Sequence, residues 1–439
     1  MSQEDVIAFL SDGASYGRPA EPVERIETHC SIVFLVGDKA YKLKRAIAFS
    51  LLDYTTLDRR ELACRRELEL NRRTAPDLYL DVKSIRRTGS GALEFEGQGA
   101  VVDWLVVMRR FDQDQLFDRL AASGRLDTPL ALALAQEIAR FHANAEPTDR
   151  YGGREGLMRA IERNNFDQTS VGDVLDANLV ERLYAESVRA LDHAGGLLDR
   201  RKESGRVRRC HGDLRLANIV RYDGRPTLFD AIEFAEESCS IDVLYDLAFV
   251  LMDLWQSGLH AQANAVLNCY LDATGDDEGL PVLPLMLSLR AGTRAFAVAG
   301  ASRRRTDAEE SRRLAESAQG LMSFALSLLA PGRPRLVAIG GTTSDDALGR
   351  ATALAPTHPA PGARIYGAER KPLSWRASCN AALAAGYAVI VAGSFRSRQD
   401  QEEIGKAAEA RSVPFTGLWI GNALERPEDW RSLDGAEER

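Results

Sequence analysis

Hydrophobic and polar positions in the first hundred residues predict a small sheet packed with one helix. Residues 31–36 and 39–47 are short β-prone runs, and the Gly37-Asp38 dipeptide between them suits the tight turn of a hairpin. Residues 59–73 carry apolar or small side chains among charges at helical spacing, and Pro76 follows to end the helix. Further strands are predicted at residues 82–87, 93–97 and 101–108. Strands packed with one helix make an α+β lobe.

After residue 129 the apolar spacing becomes mainly helical. Helices are predicted at residues 132–142, 243–255, 285–298 and 312–329, with a β-like interruption at 210–230. The clearest linker is Ala330-Pro331-Gly332-Arg333-Pro334. Beyond it, strands at 335–339, 388–392 and 417–420 alternate with helices at 345–354, 378–385 and 401–410, which predicts a small parallel sheet. We therefore expect an N-terminal lobe at residues 1–110, a helical lobe at 111–330 and an α/β domain at 335–439.

The composition is that of an ordinary globular protein, with 45% hydrophobic and 27% charged residues and a formal charge of -8. That charge argues against nucleic-acid binding as the main purpose. The six cysteines are scattered singly, without metal-ligand spacing, and no secretory segment is recognised, so reduced thiols and a cytoplasmic location are expected. The apolar run at 243–254 is too short to cross a bilayer and is interrupted by Asp246 and Asp253, so no membrane segment is predicted.

The most specific chemical signal is His211-Gly212-Asp213-Leu214-Arg215-Leu216-Ala217-Asn218, followed by Leu228-Phe229-Asp230. Phosphoryl transfer needs one carboxylate to accept the proton of the attacking hydroxyl. It also needs oxygen ligands for a Mg²⁺ ion that neutralises phosphate charge. Asp213, Asn218 and Asp230 supply two carboxylates and an amide oxygen for these roles.

The first string matches the catalytic-loop pattern H-G-D-x-x-x-x-N, and the chain resembles aminoglycoside-phosphotransferase-like kinases. The resemblance implies a bilobal, protein-kinase-like α+β fold and an ATP- and Mg²⁺-dependent kinase acting on a hydroxyl of a small molecule. Asp213 would be the catalytic base, and Asn218 and Asp230 would hold the metal. Arg215 replaces a histidine that is common in the closest relatives, and its cation would either hold the γ-phosphate or cover the loop.

In the first lobe, a cation must reach the phosphates of ATP and an acid must orient it. Lys42 and Lys44 lie on one face of a predicted strand, and the small residue Ala40 two positions before Lys42 favours Lys42. Glu67 on the following helix is the predicted partner, with Glu61 as the alternative. No glycine-rich loop precedes the hairpin, so backbone amides and the hydroxyls of Thr28 and Ser31 would meet the phosphates.

Within this superfamily the whole chain looks most like bacterial proteins that join such a kinase to a C-terminal P-loop ATP-binding domain. The segment Gly340-Gly341-Thr342-Thr343-Ser344-Asp345-Asp346-Ala347 stands where the P-loop belongs. Asp345 replaces its second glycine, Asp346 its lysine and Ala347 its Mg²⁺-binding hydroxyl. We therefore expect a degenerate, truncated α/β P-loop-like domain that binds no nucleoside triphosphate, with Ser344 capping an ordinary helix.

Two other functions compete with an active small-molecule kinase. One is a catalytically inactive kinase-like scaffold or regulatory module, with the C-terminal domain as the docking surface for a protein partner. The other is a protein kinase or nucleotidyl transferase, which the short segment between Asp230 and Asp242 disfavours because it lacks an activation segment. The sequence does not specify the phosphate acceptor, because variable helices recognise it.

Overall fold

The computed structural model describes residues 3–49, 52–330, 332–341, 343–367, 375–395, 397–421 and 426–433. Contacts divide the chain into two compact units. The N-terminal unit comprises Met1–Arg125 and Arg209–Ile241, and the helical unit comprises Leu126–Arg208 and Asp242–Arg439. The motif segment, Arg209–Ile241, which carries Asp213, Asn218 and Asp230, thus groups with the first sheet. Residues 335–439 group with the helices.

The N-terminal unit is built on an antiparallel sheet, and its elements are the predicted hairpin, helix and three later strands together with two helices and three strands that the sequence pattern did not predict. They are α1 (Glu4–Leu10), β1 (Glu24–Glu27), β2 (Ser31–Val36), β3 (Lys39–Lys44), β4 (Ala48–Phe49), β5 (Leu52–Asp53), α2 (Leu57–Asn71), β6 (Tyr79–Arg87), β7 (Leu93–Phe95), β8 (Ala100–Arg109) and α3 (Phe117–Ala122). The main sheet has the order β1-β2-β3-β8-β6-β7. Thr56 caps α2 by accepting from the Arg59 N–H at 3.4 Å.

Alternation along the strands separates two buried faces of this sheet. Ile32, Phe34 and Leu43 pack with α1 on one face. Ala40 and Met108 pack with residues of α2 on the other. Lys42 and Lys44 lie in the same alternating series of β3 as Ala40, opposite Val33 and Ser31 of β2. The sheet register therefore places both lysines on the face that α2 covers.

The next helices belong to the helical unit, and the chain then returns to the N-terminal unit. The helices are α4 (Thr128–Asn144), α5 (Gly153–Thr169) and α6 (Ala177–Glu203). Then come β9 (Val207–Arg209), β10 (Ile219–Tyr222), β11 (Arg225–Leu228), α7 (Glu236–Cys239) and β12 (Ser240–Asp242). Asp223 and Gly224 join β10 and β11 with φ values of 46° and 77°, the backbone that a tight two-residue hairpin turn requires.

The rest of the helical unit begins with α8 (Val243–Gln256), α9 (His260–Thr274), α10 (Leu283–Arg303) and α11 (Ala308–Leu328). Asp242 caps α8 through the Leu244 N–H at 2.9 Å, and it also pairs with buried Arg201. Among the described residues, Asp277–Arg303 is long and apolar enough to span a membrane, but 67% of its most apolar window is buried inside the protein. A core helix passes the same test of length and composition.

The described residues after the linker form a five-stranded parallel sheet with helices. Its elements are β13 (Arg335–Gly341), α12 (Ser344–Leu354), β14 (Arg364–Gly367), α13 (Trp375–Ala384), β15 (Ala388–Gly393), α14 (Arg398–Glu409), β16 (Phe415–Ile420) and β17 (Arg431–Ser432). The order is β14-β15-β13-β16-β17. An α+β part, a helical part and a parallel α/β part follow one another, which confirms the predicted fold class.

At the start of α12 the structure corrects one detail of the sequence analysis. Thr343, not Ser344, is the N-cap, and its hydroxyl accepts the Asp346 N–H at 3.1 Å. Thr343 has extended backbone angles, whereas Ser344 is already helical. Asp345 and Asp346 occupy the first turn, where they complement the partial positive charge of the helix N-terminus. Thr342 lies outside the described residues.

A buried arginine joins the parallel sheet to the helices. Arg364 of β14 donates to Asp277 at 2.7 Å and to Asp272 at 2.7 Å, and only 3% of its side chain is exposed. Tyr366 donates its hydroxyl to Asp277 at 2.9 Å. Burial alone would lower the pKa of Arg364, but the hydrogen bond and charge of Asp277, together with Asp272, raise it. The parallel sheet is thus held to the helices by a contact centred on a buried, charged arginine.

Two asparagines of α9 also bind backbone groups in the edge strand β14 and just before it. Asn268 accepts the Ile365 N–H at 2.8 Å and donates to the Ala363 carbonyl at 3.1 Å. Asn264 donates to the same carbonyl at 2.9 Å. Backbone groups that a neighbouring strand would normally bind are therefore satisfied by side chains.

Candidate active site

The N-terminal unit contains a cavity of about 550 Å³. Its apolar lining includes Ile26, Val33, Leu35, Ala40, Met108, Phe111, Leu116 and Phe229. Its polar lining includes Thr28, Ser31, Lys42, Lys44, Asp213, Arg215, Asn218, Asp230 and Glu233. The volume and the division into apolar and charged regions suit a ligand with a flat apolar part and an anionic part.

The motif segment reaches the cavity through a turn that requires glycine. Gly212 has a φ of 86°, and a Cβ there would lie 2.9 Å from the Ser238 carbonyl oxygen and 3.1 Å from Ile232. The adjacent His211 is fully buried, and its Nε2 lies 2.8 Å from the Phe229 carbonyl oxygen. These contacts tie the loop before Asp213 to the segment that carries Asp230.

Asp213, Arg215 and Asn218 form a hydrogen-bonded group at the cavity wall. The Asn218 amide donates to the Asp213 backbone oxygen at 2.9 Å and to its Oδ2 at 2.8 Å. Arg215 Nε donates to the same Oδ2 at 3.2 Å. The side chains of Asp213 and Arg215 are both 31% exposed, so the carboxylate is oriented but accessible.

Asp230 follows β11 with a left-handed backbone, at a φ of 62°. Asp and Asn tolerate this region better than most residues. The buried Tyr79 hydroxyl accepts the Asp230 N–H at 3.1 Å and so supports this conformation. Asp230 Oδ1 lies 2.5 Å from Lys42 Nζ, while 41% of the Asp230 side chain is exposed. The carboxylate is therefore fixed by its backbone yet open to the cavity.

Glu67 binds both candidate lysines. Its Oε1 lies 2.7 Å from Lys42 Nζ, and its Oε2 lies 2.6 Å from Lys44 Nζ. The Glu67 carboxylate is fully buried on α2. The alternative partner, Glu61, instead pairs with Arg65 on its own helix at 2.8 Å. The structure thus brings Glu67, rather than Glu61, to the strand lysines.

The electrostatics of this group follow from burial and mutual attraction. Burial alone would lower the pKa of Lys42, but Asp230 and then Glu67 raise it well above its usual value. Burial would raise the pKa values of Glu67 and Asp230, but both are lowered, chiefly by Lys42. All three groups are therefore ionised near neutral pH.

Sequence reasoning gave no role to Glu233 and Tyr54. Glu233 accepts hydrogen bonds from both Lys44 Nζ and the Tyr54 hydroxyl, and Lys44 Nζ also lies 3.5 Å from that hydroxyl. The signal that could have found Glu233 is the second lysine on the buried face of β3. A buried ammonium group needs a carboxylate of its own.

Thr28 and Ser31 also line the cavity, but their hydrogen bonds build the turn before β2. The Thr28 hydroxyl accepts the Ser31 N–H at 3.0 Å and donates to the Ser31 carbonyl at 3.0 Å. Ser31 is 1% exposed. These two hydrogen bonds therefore stabilise the turn without a glycine.

The oxygen atoms of Asn218 and Asp230 fit a hard divalent cation such as Mg²⁺. The Asn218 amide nitrogen donates to Asp213. The amide oxygen is therefore the atom of Asn218 that would bind a cation. Asp230 already attracts one cation, the Lys42 ammonium. A carboxylate and an amide oxygen are few ligands, as expected where phosphate and water complete the coordination of Mg²⁺.

The sequence profile of the phosphotransferase enzyme family matches residues 55–280. Uncharacterized proteins of Mycobacterium tuberculosis and Mycobacterium bovis are 30% identical over 300 residues, which cover 65% of this chain and 57% of theirs. The match thus spans little more than half the length of these relatives.

Solved kinase structures are similar at low identity. One is the amicoumacin kinase hAmiN in complex with AMP-PNP, Ca²⁺ and Ami, at 14% identity and a TM-score of 0.43, covering 69% of this chain and 88% of that one. Another is choline kinase from Cryptosporidium parvum Iowa II, at 10% identity and a TM-score of 0.46, covering 74% of this chain and 94% of that one.

Proposed function

Because the family match spans half of the sequence, the chain belongs to the phosphotransferase enzyme family, and we propose that it transfers a phosphoryl group from ATP to a hydroxyl of a small molecule. One observation carries the proposal. A single cavity with an apolar region collects Asp213, Asn218, Asp230 and Lys42, the residue types that phosphoryl transfer requires.

In this proposal the adenine ring occupies the apolar part of the cavity and the phosphates lie toward Lys42. Asn218 and Asp230 would hold Mg²⁺, which neutralises phosphate charge when it is bound. Asp213 accepts the proton of the acceptor hydroxyl, and the Asn218 amide keeps its carboxylate in one orientation. Arg215 lies beside Asp213 and supplies a positive charge for the γ-phosphate.

Two variants separate binding from transfer. Asp213→Asn should keep Mg-ATP affinity within a few-fold and abolish transfer, because the base acts on the acceptor rather than on the nucleotide. Asp230→Asn should lose Mg-ATP binding, since the amide keeps the shape and tolerates the left-handed backbone but removes the charge. Titration calorimetry measures both affinities.

The acceptor can be sought by measuring ATP consumption against a library of sugars, aminoglycosides and metabolites, with Asp213→Asn as the control. Turnover that depends on one acceptor and on Asp213 supports the kinase. Turnover that is unchanged in Asp213→Asn refutes the role of this residue. Mg-ATP binding without turnover on any acceptor favours the inactive scaffold instead.

A further inference from the structure

Two lysines share one buried carboxylate beside the cavity. Lys42 and Lys44 each bind one oxygen of Glu67, at 2.7 and 2.6 Å. A single ammonium group would be enough to pair with Glu67. The second lysine therefore calls for a separate explanation.

The surroundings of the two lysines differ. Lys42 is 12% exposed and also binds Asp230, whose side chain is 41% exposed. Lys44 is 1% exposed, and its other carboxylate partner, Glu233, is only 7% exposed. Lys42 thus stands at the accessible side of the charged group, and Lys44 is enclosed in the wall.

The charge balance suggests what the enclosed lysine does. The group has two ammonium groups and three carboxylates, a net charge of one negative unit. If Lys42 moved to a phosphate without Lys44 present, Glu67 would remain as a buried, unpaired carboxylate, which is strongly unfavourable. With Lys44 in place, Glu67 keeps a partner throughout.

We propose that Lys44 is a positioning residue that stays on Glu67 and Glu233 and thereby allows Lys42 to leave Glu67 and Asp230 for the phosphates of the nucleotide. This inference rests on the proposed function, because it assumes that ATP enters the cavity. The proposal gives the two lysines different roles. Lys42 contacts the ligand, and Lys44 keeps the acids neutralised while Lys42 does so.

Nucleotides with and without phosphates test this division by calorimetry on the full chain. Lys44→Met should lower Mg-ATP affinity by at least ~10-fold, because Glu67 then retains Lys42, while adenosine affinity stays within ~2-fold. Equal losses for both ligands would show a general distortion of the cavity and overturn the proposal. Unchanged Mg-ATP affinity in Lys44→Met would overturn it as well.

A second substitution separates positioning from direct phosphate contact. Lys44→Met combined with Glu67→Gln should recover the Mg-ATP affinity of Glu67→Gln alone, because the Glu67 charge that would retain Lys42 is then absent in both variants. If Lys44 itself contacted phosphate, the double variant would stay as weak as Lys44→Met, and the proposal would fail.

Glu233→Gln provides a variant of nearly unchanged shape. It leaves Glu67 as the charged partner of Lys44, so Mg-ATP affinity should be equal to that of the wild type or higher, and a loss of ~10-fold or more would contradict the proposal. Asp103→Asn, which weakens the buried Arg60–Asp103 pair of the same unit, is the matched control and should change neither affinity beyond ~2-fold. If the wild-type protein does not bind Mg-ATP, the proposed function and this inference both fail. If the wild-type protein binds Mg-ATP and Lys44→Met binds it equally well, this inference alone fails.

Discussion

The attachment of the parallel sheet to the helices should depend on Arg364. Arg364→Met removes the cation from Asp277, whose side chain is 10% exposed and, among the described residues, would keep the Tyr366 hydroxyl as its side-chain partner. Removing one member of a buried ion pair costs about 3–5 kcal/mol, because the remaining charge is left without compensation. We expect the unfolding free energy to fall by that amount.

The loss of unfolding free energy should come from the unpaired Asp277 carboxylate rather than from lost packing. Arg364→Met combined with Asp277→Asn should therefore recover much of the stability, since no unpaired carboxylate remains. Arg398→Met is the control within the same sheet domain. Arg398 is 91% exposed and pairs with Glu402 on the surface, so its loss should change stability by less than about 0.5 kcal/mol.

Denaturant titration gives the free energies, and amide hydrogen exchange of Ile365 reports the contact locally. The Ile365 N–H is held by Asn268 and should lose protection in Arg364→Met but not in Arg398→Met. A change below about 1 kcal/mol, with Ile365 still protected, would show that the buried pair does not hold the sheet and would refute the reasoning.

Three further predictions concern charge, capping and stoichiometry. Burial alone would raise the pKa of Glu67, but attraction by Lys42 and Lys44 lowers it. The contribution of Glu67 to stability is therefore present above the unfolded pKa of about 4.3 and is lost as the pH falls through the folded pKa. Glu67→Gln should flatten the decline of the unfolding free energy that is measured between about pH 6 and pH 3. Thr343→Ala should cost about 0.5–2 kcal/mol in denaturant titration because it removes the cap of α12, whereas an equal loss in Ser344→Ala would contradict the assignment. Calorimetry of the full chain should find one Mg-ATP site, absent in Asp230→Asn, and a residual site in that variant would show that the C-terminal domain binds nucleotide.

The parts of the site that the sequence could predict are those carried by local patterns. Asp213, Asn218 and Asp230 lie within two short strings, and Lys42 lies on a strand whose alternation fixes its face. The structure brings these four residues to one cavity, although their roles in catalysis stay predictions. Local spacing was sufficient because each residue's direction is set by a turn or strand next to it.

Other features depend on contacts between distant segments, which one sequence does not display. Glu233 binds the ammonium group of Lys44, and the two residues are 189 positions apart in the chain. The strand β14 was not predicted because it is only four residues long and begins with a charged residue, Arg364. In the sequence Arg364 resembles a surface residue, and its buried partner Asp277 is identified only by the structure. The cap of α12 was misplaced by one position because Thr343 and Ser344 are chemically equivalent candidates and only backbone angles separate them.

The two asparagines on α9 have a consequence for self-association. An open sheet edge is a template onto which another extended chain can add, and β14 forms the edge of its sheet. Asn268 binds the Ile365 N–H of that edge, and Asn264 binds the Ala363 carbonyl just before it, with side chains that cannot propagate a ladder. A fragment cut at the linker before β13 would uncover those groups, and we expect it to aggregate where the intact chain does not.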